Sequence, residues 1–446
     1  MKQILSHIYE LRNSEFYRNI GRLFSGIFLA RIIPALFALL IARLYAPESF
    51  GDYMLFLSIS SLLSVFVNGG YEGALLIAGN EIRREAIYRF SMRINLIINS
   101  FALFFLLFYL FIHPGDAGRN LMLLLIPCYS FFFGATQMVR NRLISRKAFR
   151  RLAVLEMVRA LLTGTLQSLC FVFPETGLST GLVAAQIITF FWFAEIRLSL
   201  RKDSFSRPNR LERALAGRYR RFPLYSLPAE FFNFLSHQLP VFLIKPFFGS
   251  SNLGLYSFSH RYLFIPVQMT GISIGSVYVE KASALRSSPV ELSELTYSLF
   301  KKQVWLSLLP FTLIAFWGKP VFSFLFGPVW SYSGYLAQIL APWLFFVFIS
   351  SPLSMILTVR EKQKESMLFN ILLLLTRASV LLAGGLWLKN LSVTIALFSG
   401  TGVLFFAFLG GWSLRLAGVN LFHAAGFLLK ALIICSLPLL ILWLWI

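Results

Sequence analysis

Carboxylates are scarce in this sequence. There are 19 Asp and Glu in 446 residues against 41 Lys and Arg, a formal net charge of +22. Cysteine is scarcer still. Cys128, Cys170 and Cys435 all sit in apolar stretches with no repeated spacing, which gives neither a disulfide framework nor a metal site. The sequence has no Gly-x-x-x-x-Gly-Lys-Ser/Thr loop, which excludes ATP hydrolysis of that kind, and no His-Glu-x-x-His zinc motif. Charge of either sign is thin overall: 13% of residues carry one, where a soluble domain has roughly 25%.

What is abundant is apolar. Hydrophobic residues make up 57% of the chain, 48 of them phenylalanine, and the mean hydropathy is +0.71. A water-soluble globule would leave that much apolar surface in patches far beyond the few hundred Å² that monomers tolerate. The chain therefore reads as an all-α, polytopic membrane protein. At about 20 apolar residues per crossing it holds about 12–13 transmembrane helices. The spans read at about 21–43, 53–79, 92–113, 119–140, 152–174, 177–197, 223–246, 254–280, 302–326, 333–358, 366–388, 391–414 and 424–446.

The location of the charge sets the topology. About 31 of the 41 cations fall in or at the edge of alternate links, as cytoplasmic segments should. These links are 80–91, 141–151, 198–222, 281–301 and 359–365, and each is basic. The outer links are short and hold few cations. This places the N-terminus in the cytoplasm. Residues 1–20 read as a cytoplasmic amphipathic lead-in; Glu10 and Glu15 among its cations and the lack of a small-residue cleavage site argue against a removable signal peptide. The positive charge thus reports membrane topology rather than a nucleic-acid partner.

The longest basic link lies halfway along. It divides the chain into a six-helix lobe at 1–200 with its lead-in, a linker at 201–222, a second six-helix lobe at 223–416, and an extra C-terminal helix at 417–446. Residues 41–53, IARLYAPESFGDY, align without a gap to 244–256, IKPFFGSSNLGLY. Ile41, Gly51 and Tyr53 match Ile244, Gly254 and Tyr256 in the equivalent outer turn of each half. Two pseudo-symmetric six-helix lobes that enter from the same side form a parallel repeat, a plan that places a substrate path between halves.

Ionisable residues inside spans are functional candidates by default. Arg31 lies near the middle of the first span and Arg377 near the middle of the eleventh. Arg261, preceded by His260, lies a quarter of the way into the eighth, and Arg159 two turns into the fifth. Each could face a water-filled cavity and bind a phosphate through two oxygens at once. Each could equally pair with a carboxylate or snorkel to the interface. Arg159 has Glu156 one turn before it, which favours local neutralisation. Glu230, Asn233 and His237 share one face of the seventh span between Pro228 and Pro240, a pattern that suggests a broken helix lining a cavity. Glu72 sits beside an Asn68-Gly69-Gly70 break in the second span. Either glutamate could take a proton or Na⁺, or simply neutralise an arginine. His237 has no second ligand at matching spacing, so no metal or other cofactor is expected. Gly271-Ile272-Ser273-Ile274-Gly275 resembles a hydrolase elbow but lies inside a span, where small residues serve close helix packing.

Residues 42–79, ARLYAPESFGDYMLFLSISSLLSVFVNGGYEGALLIAG, resemble the opening of the Wzx-type oligosaccharide-lipid flippases of the MOP (multidrug/oligosaccharidyl-lipid/polysaccharide) exporter superfamily. Residues 252–280, NLGLYSFSHRYLFIPVQMTGISIGSVYVE, resemble their eighth helix. The resemblance implies translocation of a polyprenyl-diphosphate-linked sugar repeat unit from the cytoplasmic to the outer leaflet of a bacterial inner membrane. It implies alternating access around a cationic cavity lined by the first and eighth helices, hence by Arg31 and Arg261, in a surface-polysaccharide pathway such as O-antigen assembly with its polymerase and chain-length machinery. The thirteenth span departs from the family's usual twelve or fourteen. Two alternatives stand beside this. An outer-face polymerase, ligase or glycosyltransferase would need a sizeable outer loop, and the outer acids here number only Glu48, Asp52, Asp116 and Glu175. A multidrug exporter of the same superfamily would want an acidic cavity.

Overall fold

A bilayer offers backbone amides no water, so each spanning segment must satisfy its own hydrogen bonds as a helix. The computed structural model describes residues 32–78, 80–146, 148–193 and 209–445, and these residues contain helices and no strand. Eight helices among them are long and apolar enough to cross a membrane. Within the described residues the spans read from the sequence fall on helix, interrupted in the second at 67–71; residues 21–31 of the first span and 194–197 of the sixth lie outside the described residues. The chain divides into two compact units, Met1–Gln238 and Leu239–Ile446.

The first unit opens with α1 (Ile32–Leu44) and α2 (Pro47–Phe66). The second span then breaks where the Asn-Gly-Gly sequence anticipates. Gly69 and Gly70 both take left-handed φ values, 63° and 71°, which cost glycine nothing and other residues strain. The helix resumes as α3 (Glu72–Ile77). Then follow α4 (Glu81–Ile112), α5 (Ala117–Ser145), α6 (Phe149–Leu169), α7 (Gly177–Trp192) and α8 (Arg210–Arg218). α5 is the hub, packed against α2, α3, α4, α6 and α7. Polar side chains stitch its apolar contacts. Ser64 Oγ donates to Ser130 Oγ at 3.2 Å, Asn68 Nδ2 to the Gly134 carbonyl at 3.0 Å, and Asn95 Nδ2 to the Phe131 carbonyl at 3.1 Å.

The chain leaves the first unit within α9 (Leu227–Ala284). The prolines at 228 and 240 do not break this helix. Its one residue with non-helical backbone is Gly249 (φ 86°, ψ 171°), in the turn read between the seventh and eighth spans. Pro228 falls in the first α-helical turn of α9, directly after a π-helical turn at Phe222–Ser226.

The second unit continues with α10 (Pro289–Phe326), α11 (Ser331–Leu353), α12 (Ile356–Val359), α13 (Gln363–Ala383), α14 (Leu391–Leu416) and α15 (Leu421–Trp445). α11 is its core helix, buried on most of its surface as a helix apolar all round should be. Gly318 of α10 and Gly334 of α11 meet backbone to backbone, so a side chain on either would collide with the other's carbonyl. Ser259 Oγ donates to the Ser333 carbonyl at 2.6 Å while Ser333 Oγ donates to the Leu255 carbonyl at 2.9 Å, a reciprocal clasp between α9 and α11.

Two basic links are not loops. α10 has 38 residues and starts at Pro289, so most of the expected 281–301 link is helix. At 1.5 Å per residue it is about 57 Å long, nearly twice the hydrocarbon thickness of about 30 Å. α4 likewise begins at Glu81 and keeps its polar end helical with Glu85–Arg89 and Glu81–Arg84 pairs one turn apart. The 201–222 linker also contains structure. Asn209 and Glu212 form a capping box at the start of α8. Glu212, 1% exposed, binds Arg93 of α4 in a buried ion pair. Leu215 enters the core cluster formed by α3, α4 and α5.

Breaking one partner of a buried pair typically costs about 3–5 kcal/mol. Glu212→Gln should therefore release α8 from the first unit. Tryptic cleavage at Arg210–Arg221 in the purified protein should accelerate at least tenfold, since about 1.4 kcal/mol is a factor of ten. An unchanged cleavage rate would show that the pair does not hold α8 in place.

Candidate functional site

The sequence-derived candidates separate into groups once placed on the fold. Arg31 lies outside the described residues. Arg159 sits on α6 with its guanidinium on Glu156, as their spacing anticipates. Glu156 also holds Arg140 of α5 at 3.3 Å, so one carboxylate serves two arginines. Arg159 is thereby paired within its own unit, in a triplet that keeps one net positive charge.

Glu72 and Glu230 come together. Glu72 starts α3 directly after the glycine break, and Glu230 lies in the first turn of α9. The intervening packing is close: Gly70 lies against Leu227, and Gly73 is pressed against the Phe222 ring. Asn68 hydrogen-bonds the Glu72 carboxylate, and the charge of Glu230 acts on it more weakly. Glu230 and His237 are exposed on the same part of α9. In this unit Ser58 Oγ also donates to Gln238 Oε1 at 2.9 Å, which ties the first half of α9 to α2.

In the second unit the structure joins two candidates that the sequence left apart. Arg377 projects from α13 into an aromatic cluster and is 5% exposed. Its Cζ lies 4.8 Å from the Trp343 ring centroid, 5.1 Å from Phe398 and 5.8 Å from Phe406. Trp343 stacks on His260 at 5.7 Å, and His260 stacks in turn on Tyr256 at 5.8 Å and Phe264 at 5.1 Å along α9. Arg377 and His260 therefore share the indole of Trp343. Arg261, half-buried, follows His260 on the same helix.

Neither structural alternative weighed for Arg377 is present among the described residues. It does not snorkel, because it is buried. No carboxylate pairs with it, and its Nε and Nη2 have no hydrogen-bond partner. Cation–π contacts of desolvated cations contribute about 2 kcal/mol each. Burying an ion costs several kcal/mol even after relaxation, and each unmet donor adds about 1–3. The rings offset part of this cost and leave the donors unmet.

Trp343 is the residue the sequence did not single out. It lies 34 positions from Arg377 on a different helix, and nothing local separates it from the chain's other tryptophans. Gly402 of α14 makes room for it: a Cβ there would run into the indole. Gly402→Val should displace Trp343 from its place between Arg377 and His260. The expected loss is about 1–3 kcal/mol of stability, the usual cost of overpacking. It should appear as a lower midpoint in unfolding of the purified protein; an unchanged midpoint would mean that the indole relocates freely.

The fold and these residues can be set beside known proteins. A family model described as polysaccharide biosynthesis protein matches residues 40–334. The chain is 26% identical over 314 residues to the succinoglycan biosynthesis transport protein ExoT of Rhizobium meliloti (strain 1021). That alignment covers 68% of this chain and 60% of the relative, so the chain matches less than two thirds of that protein's length. Among solved structures it is similar to the lipid II flippase MurJ in an inward closed conformation, with a TM-score of 0.72 and 13% identity over 95% of this chain and 92% of that one. It is also similar to an inward-facing multidrug resistance MATE family transporter of the MOP superfamily, with a TM-score of 0.63 and 14% identity over 89% and 94%. At these identities the structural likeness speaks for the fold alone. With two thirds of its length inside one family model, and with a helical architecture held in common with MOP transporters, the chain belongs to the polysaccharide biosynthesis protein family.

Proposed function

We propose that this protein is a flippase, not an enzyme, that carries a polyprenyl-diphosphate-linked oligosaccharide repeat unit from the cytoplasmic to the outer leaflet by alternating access. The observation that carries this reading is the family match over residues 40–334 in a chain with the MOP fold. The relative from Rhizobium meliloti is named as a transport protein for succinoglycan biosynthesis, and the lipid II flippase is named for a lipid-linked cargo; both support a glycolipid substrate. The protein resides in a bacterial inner membrane with its N-terminus in the cytoplasm, and works beside a polymerase and chain-length machinery on O-antigen or another surface polymer.

A diphosphate crossing about 30 Å of hydrocarbon needs cations along its path. Arg31 and Arg261 are the residues assigned to that role. Arg159 is excluded from it because Glu156 already occupies its guanidinium. The mid-span positions of Arg31 and Arg261 in the sequence disfavour the multidrug-exporter reading, since arginines along the path would repel a cationic drug rather than hold it. Glu72 and Glu230 supply the ion coupling. Two carboxylates in electrostatic range repel, and a proton or Na⁺ taken up between them relieves the repulsion.

Deleting the gene should leave one complete repeat unit on its polyprenyl diphosphate, detected by mass spectrometry of extracted lipids. An incomplete unit would point instead to a glycosyltransferase, and an unchanged profile to a drug exporter. Arg31→Ala should slow flipping at least tenfold, because hydrogen bonds to charged groups contribute about 1.5–3 kcal/mol. Its abundance in the membrane should stay normal; unimpaired flipping would remove Arg31 from the substrate path. Glu72→Gln and Glu230→Gln should each blunt the dependence of flipping on the proton or sodium gradient, and full dependence in both variants would refute the assigned coupling pair.

A further inference from the structure

The second unit holds a cation with no internal counter-ion. Its carboxylates are Glu280, Glu291, Glu294, Glu361 and Glu365, all in the segments 280–294 and 361–365. The one nearest along Arg377's own helix, Glu365, is 12 residues away, about 18 Å along the axis. That exceeds what two side chains can bridge. Arg377 cannot escape by losing its proton, because a guanidinium stays charged in proteins.

The unmet donors have a shape. Nε and Nη2 lie on the same edge of the guanidinium, so their N–H bonds run nearly parallel and form the fork that grips a single anion. The three rings lie near the guanidinium carbon but accept none of these donors. Trp343 Nε1, on the adjoining indole, is a further buried donor without a partner. The cluster therefore offers unsatisfied N–H groups around one fixed positive charge, and the Tyr256 phenol, in electrostatic range of Arg377, accepts from neither Nε nor Nη2.

We propose that Arg377 forms an anion site inside the second unit, built on its Nε and Nη2 edge beside Trp343, which takes a small monovalent inorganic anion of the size of chloride. The burial of Arg377 selects for size. At 5% exposure the side chain is out of reach of a diphosphate headgroup with its sugars, and the two parallel donors on one guanidinium edge suit an anion of a single atom. The site is thus separate from the substrate path assigned to Arg31 and Arg261, and its existence does not depend on the flippase reading.

The test uses the purified full-length protein in detergent. Sodium chloride or sodium bromide replaces sodium gluconate at constant ionic strength, and the unfolding temperature is followed. Binding to the folded state should raise it saturably by about 2 °C or more in the wild type. Arg377→Met should lose the anion response whatever its own starting stability. No difference between chloride and gluconate in the wild type would overturn the proposal, as would the same saturable rise in Arg377→Met. So would a rise produced only by an added anionic phospholipid, which would assign the donors to a lipid phosphate. Should the variant not fold, crystals of the wild type in bromide decide the question. An anomalous peak within about 3.5 Å of the Arg377 guanidinium supports the site, and its absence there overturns it.

Discussion

Charge is expensive in hydrocarbon, and this chain's organisation follows from where it places the little that it has. Most of its arginines and lysines lie in the links between spans that the sequence reads as cytoplasmic. Those with carboxylates nearby are paired there. Arg142 reaches Glu85 at 2.7 Å, Arg146 binds Glu81, and Glu156 gathers Arg140 and Arg159. The polar ends of α4, α5 and α6 are thus joined by ion pairs. Arg93 and Glu212 extend the same logic to the linker, where a buried pair turns a basic connector into a fixed element. With so few acids in the chain, any cation left over deep in a span must be met in another way, and Arg377 is the case the second unit presents.

The two units meet this constraint differently. In the first, polar side chains cross between helices as neutral hydrogen bonds: serine to serine, asparagine to carbonyl. The break at Gly69 and Gly70 re-aims the chain so that Glu72 approaches Glu230. In the second, aromatic faces take the place of acceptors. Trp343, Phe398 and Phe406 surround a guanidinium, and the Tyr256–His260–Phe264 row lines the next layer. The hub helices reflect this contrast. Both are tied by polar contacts, but α11 adds a bare backbone approach at Gly334 to its serine clasp with α9 and its hydrogen bonds with α10 and α14.

Features with a short sequence range were legible beforehand. Helical spans follow from hydropathy, and the glycine break from its dipeptide. The Arg159–Glu156 pair follows from a spacing of one turn. Features that depend on distant partners were not. Arg93 and Glu212 are 119 positions apart, and neither carries a local mark of its mate. Arg377 was visible as a mid-span charge, but its environment comes from α11 and α14. The basic links misled for a different reason: charge was read as loop, whereas α4 and α10 carry their helices into the charged segments, α4 with acids and arginines paired one turn apart. The prolines of α9 misled likewise, since Pro228 occupies a first turn and Pro240 is carried without distortion of φ and ψ.

The arrangement around Arg377 also fixes which part of it is free to respond. Its aromatic wall stands on two helices, Trp343 on α11 and Phe398 and Phe406 on α14, whereas the arginine stands on α13, whose flank bears the exposed Leu368, Ile371, Leu372, Leu375 and Leu382. The wall is the stator and the charge sits on the rotor. A turn of α13 that swung the guanidinium outward would deliver it into lipid, so the electrostatic cost acts as a spring that returns the helix to one angular setting. A single buried charge can in this way hold the register of a peripheral helix that has few packing contacts to hold it otherwise.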